Sequence, residues 1–405
     1  MGDGKRGAPE TLFEIMSLSR AGPRITQIAE LALTYPGYSL HRATLPVSTW
    51  LLAREAADQP PPPGSGPRVV TLEVTDRCNL RCKMCWFWGE KGQGDAFRQR
   101  ELPDAAYARL IEELAEWRPW IVITGGEPML RPSAVLEIAQ QAKTNAIPVS
   151  IINNGTADGS GVLADQIAPL IASITFSVDG PPKVHDFIRG KGAYERTRAS
   201  IRRVLDGRAT HRSPLVGLNF TLTPWNHQHA LEMIRLAEDA GVDRLTFQHL
   251  WFTSPQQAAE QRVLLKERLG VELSSINGHV ISHDFGDVTA LVDTLSLIEV
   301  EASRSTVQVS TYPRFSPSQA SRYYSEDGYT PRTRCLSPWL STVIKPNGDV
   351  VFCPDLWITE YALGNVRESS FADIWKSSRA ESFRALLWER RLFPACNRCC
   401  ALYGY

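Results

Sequence analysis

From about residue 68 onward, short apolar runs alternate with amphipathic stretches, and this alternation restricts the fold more than any other feature of the chain. Residues 69–74, 120–124, 149–153, 174–178, 216–222 and 245–249 read as six strands, short and apolar. Between them lie helical patterns such as residues 104–117, where Ala106, Leu110, Ile111, Leu114 and Trp117 share one face. Alternation of this kind folds as a parallel sheet with crossover helices. Six units fall short of the eight of a closed barrel. The expected fold is therefore α/β, a partial, open (β/α)6 barrel, with its chemistry at the C-terminal ends of the strands.

At 405 residues the chain exceeds one small core. Residues 1–58 read as a helical N-terminal extension: Ile25, Ile28, Leu31, Ala32 and Leu33 are helically spaced, and Leu51, Leu52 and Ala56 continue the pattern. Consecutive prolines followed by Gly64-Ser65-Gly66-Pro67 make 59–67 a linker, stiff and then flexible. The barrel core is assigned to 68–253. Residues 254–330 form a helical connecting region, with helices at 256–268 and 288–302, and 331–405 form a compact cysteine-bearing module.

Cysteine placement carries the chemistry. Eight cysteines fall in two groups: Cys78, Cys82 and Cys85, then Cys335, Cys353, Cys396, Cys399 and Cys400, with none in residues 86–334. The 44 basic and 44 acidic residues cancel, so nothing in the charge balance asks for a nucleic-acid or anionic membrane partner. Residues 1–10 lack the apolar run of a secretion signal, and no stretch is long enough to span a bilayer. A cytoplasmic location is expected, with cysteines as thiols or metal ligands and not disulfides. The C-x3-C-x2-C spacing directly after the first strand lets one loop wrap three thiolates around a cubane iron–sulfur cluster. The protein normally supplies four, so one iron stays open. A structural zinc site competes, but zinc wants four ligands in a closed tetrahedron. In the second group, Asn347-Gly348 is a strong hairpin signal that brings Cys335 and Cys353 to one end. A helix near 371–387 then returns the chain so that Cys396 and Cys399 complete four ligands. A zinc knuckle with the same ligands is the alternative.

Cys78, Cys82 and Cys85, with Gly125-Gly126-Glu127-Pro128 at the end of the second strand, resemble the radical S-adenosylmethionine (SAM) superfamily over about residues 67 to 250. The resemblance implies that the open iron of a [4Fe–4S] cluster is chelated by the amino and carboxylate groups of SAM. An electron from a flavodoxin- or ferredoxin-type donor then cleaves the S–C bond, giving methionine and a 5′-deoxyadenosyl radical that abstracts a substrate hydrogen; the cofactor carries the hard chemistry. Gly125 and Gly126 would let the backbone approach the SAM amino group, Glu127 would neutralise it, and Thr124 and Pro128 would flank the contact. The segment from Phe176 to Pro181, followed by His185 to Gly190, resembles one found in members with auxiliary clusters. There Ser177 would touch the SAM ribose or carboxylate. Arg189 would pair the carboxylate through its planar fork, or else be a solvated helix residue. Asn153 and Asn154 would bond ribose hydroxyls, or serve as turn residues before Gly155. Met84 stands where many relatives place an aromatic residue, and a thioether suits an apolar contact; Trp86, Phe87 and Trp88 adjoin it.

Cys335, Gly348, Cys353 and Cys396-x2-Cys399 resemble the auxiliary-cluster module called SPASM in its long form and twitch in its short form. Too few cysteines remain for two clusters, so the resemblance implies one auxiliary [4Fe–4S] cluster with four cysteine ligands. Cys400 is left as a bystander, a replacement ligand for Cys399, or a hydrogen-atom donor as in radical epimerases. Asp355 lies near where some relatives keep a catalytic base. Gln248 and His249, ending the sixth strand, are expected to point toward the site and contact substrate, with a hydrogen-bonded structural role as the alternative for the lone histidine. Three readings follow. The first is an oxidative or bond-forming enzyme acting on a small polar natural-product precursor (sugar or nucleoside) or a peptide. The second is a redox-neutral epimerase using Cys400. The third is a non-catalytic, redox-sensing iron–sulfur or zinc protein. Residues 10–58 do not resemble a winged-helix leader-binding domain, which tilts the expectation toward a sugar or nucleoside; a peptide would call for a separate leader-binding protein.

Overall fold

The computed structural model describes residues 66–89, 101–159, 161–208, 214–280, 286–354 and 358–404. The expected N-terminal extension, nearly all of the linker and Asp355 lie outside the described residues.

The strands are β1 (Val69–Glu73), β2 (Trp120–Thr124), β3 (Val149–Asn153), β4 (Ser173–Ser177), β5 (Leu215–Leu222), β6 (Arg244–His249), β7 (Gln308–Tyr312), β8 (Ser341–Ile344), β9 (Asp349–Val351) and β10 (Gly364–Asn365). They form one ten-stranded sheet in the order β10-β9-β8-β1-β2-β3-β4-β5-β6-β7. From β8 through β7 every pairing is parallel, while β9 and β10 add antiparallel pairings at one edge. Crossovers run through α1 (Asp104–Leu114), α2 (Pro132–Thr144), α3 (Pro182–Arg189), α4 (Ala193–Asp206), α5 (Ala230–Ala240), α6 (Pro255–Leu269) and α7 (Val288–Ala302). Then come α8 (Pro317–Ser325), α9 (Ser337–Leu340), α10 (Phe371–Trp375), α11 (Ser378–Arg390) and α12 (Cys400–Tyr403).

Alternation along each strand separates two faces. Leu72, Ile121, Ile123, Ile151, Phe176, Phe220 and Phe247 are buried in the core that the helices cover. Thr71, Ser150, Thr175, Asn219, Thr246 and Gln248 line the opposite, inner face and are half-exposed. Cross-strand bonds tie the inner face together: Asn219 Nδ2 donates to Gln248 Oε1 at 3.0 Å, and the Ser150 and Ser173 hydroxyls lie 2.6 Å apart.

The partial barrel is present, and its parallel sheet is longer than the six expected strands. Region 254–330 is not helical throughout, because β7 pairs with β6 within it. Gln308-Val-Ser-Thr-Tyr has a single aliphatic residue, and a strand with one neighbour needs no apolar run, so its pattern is weak. The cysteine module is also no separate unit: β8 pairs with β1 in parallel, from Val69 opposite Ser341 to Leu72 opposite Ile344. The expected hairpin joins β8 to β9, with Gly348 at φ 96°. The helix expected near 371–387 is broken into α10 and α11 because the Ser377 hydroxyl accepts from Ala380 N and caps a second start.

Glu73 ends β1 and Lys345 follows β8, and their side chains form a buried ion pair, 9% and 7% exposed. Removing one member strands the other charge. Lys345→Met should lower unfolding free energy by about 3–5 kcal/mol in chemical denaturation, and Glu73→Leu/Lys345→Met should lose clearly less.

Candidate iron–sulfur and cofactor site

The cysteine loop is held by backbone contact with the turn after β2. Val74 N donates to Thr124 O at 3.0 Å, Gly126 N to Thr75 O at 2.7 Å and Glu127 N to Arg77 O at 2.8 Å. A Cβ on Gly125, whose φ is 136°, would lie 2.4 Å from Thr75 O; one on Gly126 would lie 2.3 Å from Arg77 O. The glycines thus have a reason the sequence reading did not assign: they let this turn close on the loop that carries Cys78. Beyond it, Cys85 N donates to Cys82 O at 3.0 Å, and the Trp88 indole donates to Asp76 O at 2.7 Å. Two sulfurs receive backbone donors, Cys78 from Leu80 N at 3.4 Å and Cys85 from Trp88 N at 3.2 Å.

Glu127 is fully buried, and both its carboxylate oxygens are engaged. One accepts from Met129 N at 2.9 Å, the other from Asn154 N at 2.8 Å, and burial pushes its pKa up to about 7. It therefore ties the end of β2 to the end of β3. Asn154 in turn places its amide nitrogen 3.9 Å from Cys78 Sγ, and its carbonyl accepts from Thr197 Oγ1 of α4 at 2.7 Å. Asn153 takes the turn role, accepting from Gly155 N at 2.8 Å. Thr124 and Ser177 are half-buried at the ends of β2 and β4, and Pro128 is buried in the turn after β2.

Arg189 is buried and not solvated. It pairs with Asp179, and its Nη1 lies 3.9 Å from Cys82 Sγ. Asp179 also accepts from Thr221 N at 2.8 Å, which fixes the pair between β4, β5 and the cysteine loop. The sequence assigns Asp179 no role and reads Asn154 as a ribose contact or turn residue and not as a brace, because nothing in their spacing marks a residue that braces a ligand through another. Trp86 draws notice in the sequence only as an aromatic neighbour of Met84. It stacks on Trp251 at 5.5 Å and on His279 at 5.6 Å, residues the sequence reading did not single out.

The donor sets suit iron–sulfur clusters. Burial raises the Cys78 thiol to about 11 and Cys82 to about 12, and raises Cys85 as well, so ligation must release protons to a strong cationic centre. Cys335, Cys353, Cys396 and Cys399 line one cavity with Pro338, Phe352, Leu387, Phe393 and Leu402. Burial first, then the neighbouring thiols, raises Cys335 to about 12 and drives Cys353 and Cys396 up. Among the described residues no three His, Cys, Asp or Glu side chains converge to hold a single ion, whereas a cubane distributes its ligands over separate irons. Cys399 lines this cavity and Cys400 does not; Cys400 starts α12, and its carbonyl accepts from Tyr312 Oη at 2.7 Å.

One expectation needs correction. His249 does not face the inner side of the sheet. It follows Gln248 on a strand, so the two point to opposite faces. His249 is 1% exposed, packed against Phe315, Tyr323 and Tyr324, with Nδ1 2.6 Å from Tyr324 Oη.

Residues 72–237 match the radical SAM superfamily, and residues 335–400 match the iron–sulfur cluster-binding domain named SPASM. The chain belongs to the radical SAM superfamily, as a member with a C-terminal SPASM domain. It binds SAM with a [4Fe–4S] cluster, and an auxiliary iron–sulfur cluster besides. The pre-heme d1 synthase of Dinoroseobacter shibae is 26% identical over 331 residues, covering 78% of this chain and 76% of that protein. The PqqA peptide cyclase of Xanthomonas campestris is 26% identical over 349 residues, covering 84% and 80%. SuiB of Streptococcus suis bound to SAM shares the fold at a TM-score of 0.55 and 16% identity, over 93% of this chain and 78% of that one. No helix among the described residues is long and apolar enough to cross a membrane.

Gly126→Ala should disrupt the three-cysteine loop, so iron and sulfide counted after anaerobic reconstitution should fall toward the content of the auxiliary site alone. His249 offers a pH test. Burial lowers its pKa from 6.5 to about 3, so between these values the unfolded chain binds a proton that the folded chain refuses. Stability should therefore fall as pH drops below 6.5, by up to roughly 1.4 kcal/mol per pH unit from this residue, and His249→Phe should flatten that slope in thermal unfolding.

Proposed function

We propose that Cys78, Cys82 and Cys85 hold the SAM-binding cluster and that Cys335, Cys353, Cys396 and Cys399 hold the auxiliary one. On this reading the enzyme removes a hydrogen atom from a substrate on the inner face of the sheet. The net reaction is an oxidation, decarboxylation or bond formation, with the substrate radical giving up one electron to the auxiliary cluster and losing either a proton to a base or, in a decarboxylation, carbon dioxide. When bound, SAM supplies the hydrogen-abstracting radical once the cluster donates an electron. The chain's residues bind, orient and shield. Arg189 and Asp179 brace the loop beside Cys82, Asn154 braces it beside Cys78, and Trp86, next to Cys85, is held by its stack on Trp251. Asp355 is the proposed base.

The observation that carries this reading is the pair of buried thiol sets, one of three and one of four, on a single continuous sheet. The substrate class follows from the inner face. Thr71, Ser150, Thr175, Asn219, Thr246 and Gln248 offer hydroxyls and amides there, which match a neutral, hydrogen-bonding substrate such as a sugar, a nucleoside or a peptide backbone. Relatives of equal identity are named for a heme precursor and for a peptide, so a peptide remains within the proposed class.

One observation favours a second reading, a redox-neutral epimerase. Tyr312, on the same face as Gln248, holds the Cys400 carbonyl and so sets that thiol near the end of β7. Three variants separate the possibilities when 5′-deoxyadenosine and product are both measured. Cys78→Ala should abolish 5′-deoxyadenosine. Cys353→Ala should leave some cleavage but no product. Cys400→Ala should keep product under the oxidative reading and lose it under the epimerase reading. Normal product from Cys353→Ala would remove the auxiliary cluster from the reaction.

A further inference from the structure

We propose that the exposed face of α3 beside the cysteine loop is the docking surface for an acidic one-electron carrier protein of the flavodoxin or ferredoxin type. The inference rests on the reading above, since only a cluster that must be reduced needs such a partner. On α3, Lys183 and Phe187 are one turn apart and share a face. Phe187 is 56% exposed, and Lys183 is exposed beside it. Lys191 is exposed one residue beyond Gly190, which closes the helix. Lys83, from between Cys82 and Cys85, extends over the same ring with its ammonium 4.5 Å from the centroid.

These cations are not spent internally. Among the described residues, neither Lys83, Lys183 nor Lys191 takes part in an ion pair. The single carboxylate of α3, Asp186, faces the following turn, where Gly192 N and Tyr194 N donate to it at 2.6 and 2.9 Å. The chain as a whole is neutral, so this cluster of positive charge is local. An apolar centre ringed by unpaired lysines is complementary to a carrier with an apolar cofactor edge inside an acidic rim, and such charge mainly speeds encounter.

Position makes the surface useful. The opposite side of α3 reaches the cluster ligands: Arg189 Nη1 lies 3.9 Å from Cys82 Sγ, and Ile188 O accepts from Lys83 N at 3.0 Å. A carrier seated on Phe187 is separated from a ligand sulfur by one helix. One electron leaves the reduced carrier and enters the cluster; no atom is transferred.

The test compares two reductants on reconstituted full-length enzyme, measuring 5′-deoxyadenosine. One is purified flavodoxin kept reduced by its NADPH-dependent reductase; the other is dithionite, which needs no docking surface. Lys183→Glu/Lys191→Glu should slow the flavodoxin-driven rate on the order of tenfold at low ionic strength and leave the dithionite-driven rate within about twofold. Phe187→Ala should act in the same single arm, and added salt should depress only the flavodoxin-driven rate of the unmodified enzyme. An unchanged flavodoxin-driven rate in the charge-reversed enzyme would overturn the inference. So would equal loss in both arms, which would assign the lysines to the fold or to an acidic substrate. Failure of the unmodified enzyme to cleave SAM under dithionite would overturn the functional reading itself, and docking with it.

Discussion

The contact on which the site depends is backbone against backbone: the carbonyls of Thr75 and Arg77 pressed on Gly125 and Gly126. No side chain fits between them, so the loop after β1 and the turn after β2 move as one body. Glu127 extends that body to β3 through Asn154 N, and Asn154 extends it to α4 through Thr197. Arg189 with Asp179 closes it from the side of β4 and β5. Three sulfurs that must meet one cluster are thereby held by four strand ends, although all three belong to one short loop. A loop of this length fixed only at its ends would lose much of its ordering entropy on ligation; here the folding of the sheet meets that cost.

The two thiol sets lie in different surroundings. Cys78 and Cys82 have an amide nitrogen and a guanidinium within 3.9 Å of sulfur. The cavity of Cys335, Cys353, Cys396 and Cys399 is lined otherwise by serine, proline, aromatic and aliphatic side chains, with no cation among them. Dipoles and cations beside a sulfur favour the reduced, more negative cluster, while an apolar wall disfavours added negative charge. The sets therefore differ in what surrounds the sulfur more than in the sulfur itself.

What the sequence revealed, and what it hid, follows from the range of each interaction. The three cysteines, the strand–helix alternation and the Asn347-Gly348 hairpin were legible because each is a local pattern. β7 escaped because an edge strand needs little apolar content, and its partner β6 is distant in the chain. The pairing of β8 with β1 is equally non-local, and no residue in either strand announces it. His249 was misplaced by a single step of the strand: Gln248 faces inward, so its neighbour faces the helices. The glycines after β2 were correctly seen as permitting close approach, but what approaches is the cysteine loop itself. Arg189 could be read as ligand or surface; its burial against Cys82 depends on a helix angle that periodicity does not contain.

The union of β8 with β1 bears directly on electron movement. Proteins that carry redox centres on separate domains must control a variable gap between them, whereas here the three-cysteine loop leaves one end of β1 and the auxiliary cysteines flank the adjacent hairpin. In-register backbone pairing sets the offset between the strands, and the buried Glu73–Lys345 pair locks the end nearest the cysteine loop. Slipping that register by one residue would turn Lys345 to the opposite face and leave Glu73 without its partner. The ion pair thus penalises every spacing of the two thiol sets but one, which gives a buried charge pair a role that its modest net stability would not justify.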